Sequence, residues 1–159
     1  MPSKTKHWGT GAPVSYFKAQ LAELGEDQFR SAFSHPVLIH HGKAPTESPF
    51  MNVTSESVMY VHVVQPDDEE SLVSAGRLDN NGVMLPDATI SGVHAWFKHT
   101  DDGEWTLADN GSRNGTLLDG TTVGEEAHTL FDGATIRLGS VNLTWLSADM
   151  FHSFLRTAN

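Results

Sequence analysis

From residue 58 to residue 146 the chain alternates short runs of β-forming residues with tight-turn signals, a spacing that limits it to sheets of many short strands. Val58 to Val64 is the first run, and Pro66 to Glu70 closes it with an acidic turn. Leu72 to Ala75 and Val83-Met84-Leu85 flank Asn80-Asn81-Gly82, which reads as a turn. His94 to Thr100 precedes Asp101-Asp102-Gly103, Trp105 to Ala108 follows, and Thr116-Leu117-Leu118 stops at Asp119-Gly120, a strong tight-turn signal. Thr135 to Gly139 and Val141 to Leu146 complete the series. Strands this short, without helical spacing between them, predict a sandwich or barrel instead of βαβ units.

The flanks have a different character. Residues 1–13 read as a loose arm, because Gly9, Gly11 and Pro13 oppose regular structure. Ser15 is placed to cap a short helix that runs to Leu24 and stops at Gly25, with Phe17, Leu21 and Leu24 on one face. Gln28 to Phe33 suits a second helical turn. Val37-Leu38-Ile39 is a brief apolar run in a connector that continues through the polar stretch Lys43 to Ser57. After residue 146, Met150, Phe151, Phe154 and Leu155 form the apolar face of a short helix capped by Ser147 or Asp149. The expected packing sets Phe151, Phe154 and Leu155 against Phe17, Leu21 and Leu24, since helical faces so small are unstable alone. The alternative is that the N-terminal face docks a second partner.

Composition removes several classes of function. The chain has no cysteine, which excludes disulfides, thiolate zinc sites and cysteine nucleophiles. No apolar stretch approaches the roughly 20 residues of a membrane span, and no apolar segment of signal-peptide type follows the basic start, so a cytoplasmic location is expected. Residues 58–146 hold four Lys or Arg against fourteen Asp or Glu, which accounts for the whole formal charge of −10. Such a surface is unsuited to nucleic acid. Two of the four cations, Arg77 and Arg113, nevertheless fall in glycine-bounded polar segments, which allows a local phosphate site for a ligand with basic flanks.

Other candidate chemistry reads as structural. His35, His40 and His41 lack cysteine or ordered carboxylate partners for a metal. Gly111 to Thr116 lacks the lysine of a nucleotide-binding loop. Trp96, Trp105 and Trp145 fall within strand-like runs and suit a core or sheet face better than base stacking. Asp101-Asp102 and Glu125-Glu126 read as solvated turns. With no complete nucleophile, metal or acid–base set, an enzyme is not expected, and neither is a cofactor or metal.

Three polar segments remain, each at the edge of a strand-like run: Gly76-Arg77, Ser91-Gly92-Val93-His94, and Gly111-Ser112-Arg113-Asn114-Gly115-Thr116. Together with Leu85 to Ile90, Asp109-Asn110 and Phe131 to Gly139 they make four blocks whose order and spacing resemble the forkhead-associated (FHA) domain family. The resemblance covers about residues 58–146. It implies an all-β fold of the SMAD/FHA type, an eleven-stranded β-sandwich with short flanking helices at both ends. Residues 1–57 would be an N-terminal extension, 58–146 the FHA domain and 147–159 a C-terminal short helix.

What the resemblance implies for function is phosphothreonine-dependent protein binding, as in an adaptor of Ser/Thr kinase signalling. A phosphothreonine presents nearly two negative charges and three acceptor oxygens, which a guanidinium fork matches better than a point charge. Arg77 takes the main ionic contact by resemblance, Ser91 donates its hydroxyl to the phosphate, and Asn114 clasps the peptide backbone after the phosphothreonine. His94 braces the loops. Gly76, Gly111, Ser112, Gly115 and Thr116 support the site, the last by anchoring its loop, with Gly111 and Gly115 taking positive φ. Two positions depart from the family. Gly92 stands where a longer polar residue is common and offers only its backbone N–H. Arg113 stands where a hydroxyl or amide is frequent, and either adds a second cation at the phosphate or points to solvent. These departures leave a second hypothesis open, an FHA-like interaction scaffold that does not require phosphate.

Overall fold

The computed structural model describes residues 11–41, 60–66 and 72–157. Its elements in chain order are β1 (Ala12–Pro13), α1 (Val14–Ala32), β2 (Val37–His41), β3 (Tyr60–Val63), β4 (Leu72–Gly76), β5 (Val83–Met84), β6 (Ala95–His99), β7 (Trp105–Asp109), β8 (Thr116–Leu118), β9 (Thr121–Val123), β10 (His128–Thr129), β11 (Thr135–Leu138), β12 (Val141–Leu146) and α2 (Ala148–Thr157). They form a β-sandwich of two sheets, with strand orders β1-β3-β2-β12-β11-β8-β9 and β10-β7-β6-β4-β5. Among the described residues there are twelve strands where eleven were expected. Three of the twelve are only two residues long.

Between the sheets lies the main core. Leu38, Ile136, Leu138, Leu143 and Trp145 from one sheet meet Val73, Ala75, Ala95, Phe97 and Leu107 from the other. Phe97 and Trp145 stack across it at 5.5 Å. Strands β2, β4, β6, β11 and β12 turn alternate side chains into it, as the pleat requires.

The largest difference from the sequence reading concerns Val37-Leu38-Ile39, expected in a connector ahead of a domain starting at residue 58. The structure pairs β2 with β12 on one side and β3 on the other, so the sandwich draws an interior strand from before residue 58. The reason the run shows no alternation is that both its faces are covered. Leu38 faces the main core, while Val37 and Ile39 face a second cluster under the helices. Ala12 and Pro13, expected in a loose arm, pair with Val61 and Tyr60. Residues 1–10, the polar connector 43–57, Val58-Met59 and most of the acidic turn after Pro66 lie outside the described residues.

The helices form a third layer on the outer face of the seven-stranded sheet. α1 is broken at Gly25, whose φ of 82° and ψ of 167° are non-helical, so the expected stop falls where the sequence placed it. Its first turn is preceded by Pro13 with no side-chain cap, in place of the cap expected from Ser15. Ser147 does cap α2, accepting the Met150 N–H at 3.3 Å. Phe17 meets Phe151 edge-on at 5.3 Å, and Phe29 and Leu155 are buried in the same cluster, with Leu21, Leu24 and Phe154 partly buried against it. The two apolar helical faces thus pack on each other and on Val37, Ile39, Val61, Val63 and Leu146. No helix among the described residues is long and apolar enough to cross a membrane.

Deleting residues 1–57 therefore removes an interior strand and half of an aromatic cluster. A chain of residues 58–159 is expected to lose the cooperative thermal transition seen by circular dichroism in the full chain. An unchanged transition would show that β2 and α1 are dispensable.

The two ends of the sandwich differ. Thr100 to Glu104 turns at one end, near the helices. At the other end lie the β4–β5 loop, the long β5–β6 loop, the β7–β8 loop and the Gly139-Ser140 turn. Asp119-Gly120 makes the expected tight turn, with φ of 51° and 86°, and joins β8 to β9, a strand the sequence did not mark, in a hairpin.

Candidate functional site

All three polar segments singled out in the sequence converge on this loop end, and backbone and side-chain hydrogen bonds lock them together. Gly76 ends β4 with the Gly92 carbonyl so close that a Cβ on it would collide with that oxygen. Only glycine fits there. Arg77 then donates its backbone N–H to the Ser91 carbonyl at 3.0 Å and its Nε–H to the Ile90 carbonyl at 3.0 Å. The Nε bond fixes the plane of an otherwise exposed guanidinium and leaves its two terminal amino groups directed elsewhere.

Asn81, read from sequence only as part of a turn, is buried at 6% exposure. Its Nδ2 donates to the Leu78 and Gly92 carbonyls, both at 2.8 Å, tying the loop that carries Arg77 to the loop that carries Ser91. An Asn-Gly pair signals a turn, and nothing in the residue order signals burial.

His94 is the fully buried centre of the arrangement. Its Nδ1 accepts the Ser91 N–H at 3.0 Å, which places the ring proton on Nε2, and Nε2–H donates to the Gly115 carbonyl at 2.9 Å. Its backbone N–H donates to Ala75 and its carbonyl accepts from Asn110. One residue thus connects β4, the Ser91 loop and the β7–β8 loop.

The Ser91 hydroxyl accepts the Arg113 N–H at 3.0 Å. Its own hydrogen has no acceptor among the described residues, so a bound acceptor can take it. Arg113 and Asn114 are exposed. The Arg113 guanidinium makes no hydrogen bond or ion pair among the described residues, whereas Asn114 Nδ2 donates to the Thr89 carbonyl at 2.7 Å and keeps its Oδ1 as an acceptor.

A carboxylate that sequence reasoning passed over holds the β7–β8 loop. Asp109 accepts from the Ser112 hydroxyl and the Thr116 hydroxyl, each at 2.6 Å, and from the Ser112 N–H at 2.9 Å. Ser112 in turn accepts the Gly115 N–H at 3.0 Å, and Thr116 is fully buried. Gly111 and Gly115 adopt φ of 64° and 90° to close the loop. A second carboxylate, Asp87, accepts from the Thr89 hydroxyl at 2.5 Å and the Thr89 N–H at 2.8 Å. Thr89 also takes the Ser140 N–H, and its carbonyl approaches Gly139 so closely that a Cβ there would lie at 2.5 Å.

Both carboxyls ionise below the usual carboxylate range. Burial pushes Asp109 upward, but the hydroxyls of Ser112 and Thr116 and the Ser112 N–H outweigh it. At Asp87 the Thr89 hydroxyl is the main cause, followed by the Thr89 N–H. A carboxyl with a depressed folded pKa contributes stability that is present above its unfolded value, near 4, and that disappears as pH falls through the folded value. The thermal midpoint of the wild type is thus expected to fall on acidification below about pH 5, and more steeply than that of Asp109→Asn. Parallel curves for the two proteins would show that Asp109 does not contribute to the loss.

The loop end offers a guanidinium with free terminal nitrogens, a hydroxyl with a free hydrogen, a second exposed guanidinium and an amide acceptor. These are complementary to an anionic group with several oxygens on an extended chain. A cavity of about 540 Å³ lies at the opposite end, lined in part by Phe29, Phe33, Trp105, Trp145 and His152. Its one arginine, Arg30, is already paired with Asp149 at 2.8 Å. The cavity therefore lacks an uncompensated cation, and the anion chemistry belongs to the loop end. Among the described residues, no cluster of His, Asp or Glu is placed to hold a metal.

Residues 73–139 match the FHA domain family. The glycogen accumulation regulator GarA of Mycobacterium tuberculosis is 30% identical over 79 residues, 50% of this chain and 47% of that protein. The oxoglutarate dehydrogenase inhibitor of Corynebacterium glutamicum is 28% identical over 112 residues, 67% of this chain and 76% of that protein. The chain spans about half the length of GarA. Among solved structures, the N-terminal FHA domain of S. cerevisiae Rad53p, in complex with a phosphothreonine peptide, superposes with a TM-score of 0.54 at 18% identity, covering 75% of this chain and 98% of that one.

Proposed function

We infer, from the FHA domain that residues 73–139 form, that this chain is a phosphothreonine-dependent protein-binding module serving as an adaptor in Ser/Thr kinase signalling. The observation that carries the reading is the pairing of spent and unspent hydrogen-bond capacity at the loop end. Arg77 uses Nε on Ile90 and Ser91 uses its lone pair on Arg113, and what each has left is a donor for phosphate oxygens. Arg77 is the phosphate anchor, Ser91 the hydroxyl contact, and the exposed Arg113 guanidinium the second cation that compensates for the bare Gly92. The N–H of Gly92 completes the phosphate cradle. Asn114 uses its free Oδ1 to hold the peptide backbone that follows the phosphothreonine.

Gly76, His94, Gly111, Ser112, Gly115 and Thr116 position these groups without touching the ligand. The domain we assign extends beyond the matched residues to include β2, β3 and β12, with α1 and α2 as its outer layer. The acid-rich remainder of the domain favours a partner with basic residues around the phosphothreonine. A binding role without catalysis also accords with relatives named as a regulator and an inhibitor.

Fluorescence anisotropy with a degenerate phosphothreonine peptide library and its unphosphorylated counterpart tests this reading. Preference for the phosphorylated library is expected. Equal affinity for the two would instead favour the scaffold that needs no phosphate, the reading that Gly92 motivates.

A further inference from the structure

Beside the phosphate anchor sits an apolar side chain that the phosphate chemistry does not use. Leu78 directly follows Arg77 and is 47% exposed, one of three large hydrophobic residues so exposed among the described residues. Its backbone is held firmly: the N–H donates to the Gly92 carbonyl at 3.3 Å, and the carbonyl accepts from both the backbone and the side-chain amide of Asn81. Because Asn81 also holds the Gly92 carbonyl, Leu78 and Gly92 are clamped as a unit.

The absence of a side chain at position 92 determines where Leu78 lies. A Cβ on Gly92 would stand 3.0 Å from Leu78 Cδ1 and 3.3 Å from Cγ, so the leucine lies across the glycine, over the residue next to Ser91. Glycine here opens a shelf, and leucine covers it with an apolar surface one residue along the chain from Arg77. Exposed apolar area held rigid next to a binding group gains by being covered when ligand binds.

Resting on the phosphothreonine-binding reading above, we propose that Leu78 is a specificity-determining residue that selects an apolar side chain on the ligand, on the N-terminal side of the phosphothreonine. The side follows from the order of the loop end. Asn114 is bonded to Thr89, Ser91 is bonded to Arg113, and Leu78 is bonded to Gly92 beyond Ser91. If Asn114 holds the residues after the phosphothreonine, the residues before it pass Leu78. The acidic domain disfavours an acidic residue there, and Leu78 disfavours an uncovered polar one, because either would be desolvated without a partner.

The test is positional selection by the full-length chain from a degenerate phosphothreonine peptide library, run for wild type, Leu78→Ser and Leu78→Met. Wild type is expected to enrich Leu, Ile, Val, Met or Phe over Ser at a position before the phosphothreonine by about five-fold, the amount one half-buried aliphatic contact supplies. Leu78→Ser is expected to flatten that preference while still requiring phosphate, and Leu78→Met to keep it. Thermal midpoints of the variants confirm that this exposed position leaves the fold intact. Retention of the same preference in Leu78→Ser, or an apolar preference confined to positions after the phosphothreonine, overturns the proposal and leaves phosphate binding standing. Loss of all phosphate dependence in wild type overturns both.

Discussion

Replacing Arg77 with alanine is expected to weaken phosphothreonine-peptide binding roughly 10- to 150-fold, the equivalent of about 1.5–3 kcal/mol for hydrogen bonds to a charged group. The exposed guanidinium spends one donor on Ile90 and keeps its terminal nitrogens for the ligand. Removing it takes away a charge and a fork together. Lysine at the same position restores charge without the fork, and Arg77→Lys is expected to fall between wild type and alanine. Because the side chain is exposed, the thermal midpoint should move by no more than about 2 °C. Calorimetric titration with one phosphothreonine peptide against all three proteins checks the order. An alanine variant that binds as wild type does would mean that the phosphate is held elsewhere, with Arg113 the first place to look.

His94 is expected to show the opposite balance, a large loss of stability with loss of binding as its consequence. Its ring is wholly buried and satisfies the Ser91 N–H and the Gly115 carbonyl. Alanine would leave both groups unpaired beside a cavity, at a cost of about 3–5 kcal/mol. For a domain of this size that lowers the thermal midpoint by roughly 6–20 °C. His94→Phe separates the two contributions, since it fills the volume and restores neither hydrogen bond. A phenylalanine variant as unstable as alanine would assign the effect to the hydrogen bonds. One as stable as wild type would show that His94 acts by filling space.

How much of this was legible in the residue order depends on what each residue is asked to do. Most strands from Leu72 onward could be read because their turns carry residues that few other conformations need, as at Asp119-Gly120, whereas β9 (Thr121–Val123) and β10 (His128–Thr129) are too short to show a pattern of their own. The loop positions of Arg77, Ser91 and Asn114 could be read because these residues lie in blocks whose order and spacing resemble those of the FHA family. β2 could not, because covering both faces of Val37 to Ile39 erases the alternation that marks a strand. Asp109 and Asn81 share another limitation. A polar residue beside a turn looks the same in sequence whether its side chain faces water or closes a loop. Only the coordinates show three donors on Asp109 and two carbonyls on the Asn81 amide. Gly92 looked like a loss of phosphate-binding capacity, and in the fold it is also the space that Leu78 occupies.

Amide chemical shifts in a ¹⁵N-labelled chain, followed during titration with a phosphothreonine peptide and then with its unphosphorylated twin, test phosphate recognition at the loop end most directly. Saturable shifts at Arg77, Ser91 to Val93 and Arg113 to Gly115 with the phosphorylated peptide, and none with its twin, are expected. The same shifts with both peptides, or shifts gathered instead around the cavity near Trp105 and His152, would contradict phosphothreonine-dependent binding by these loops.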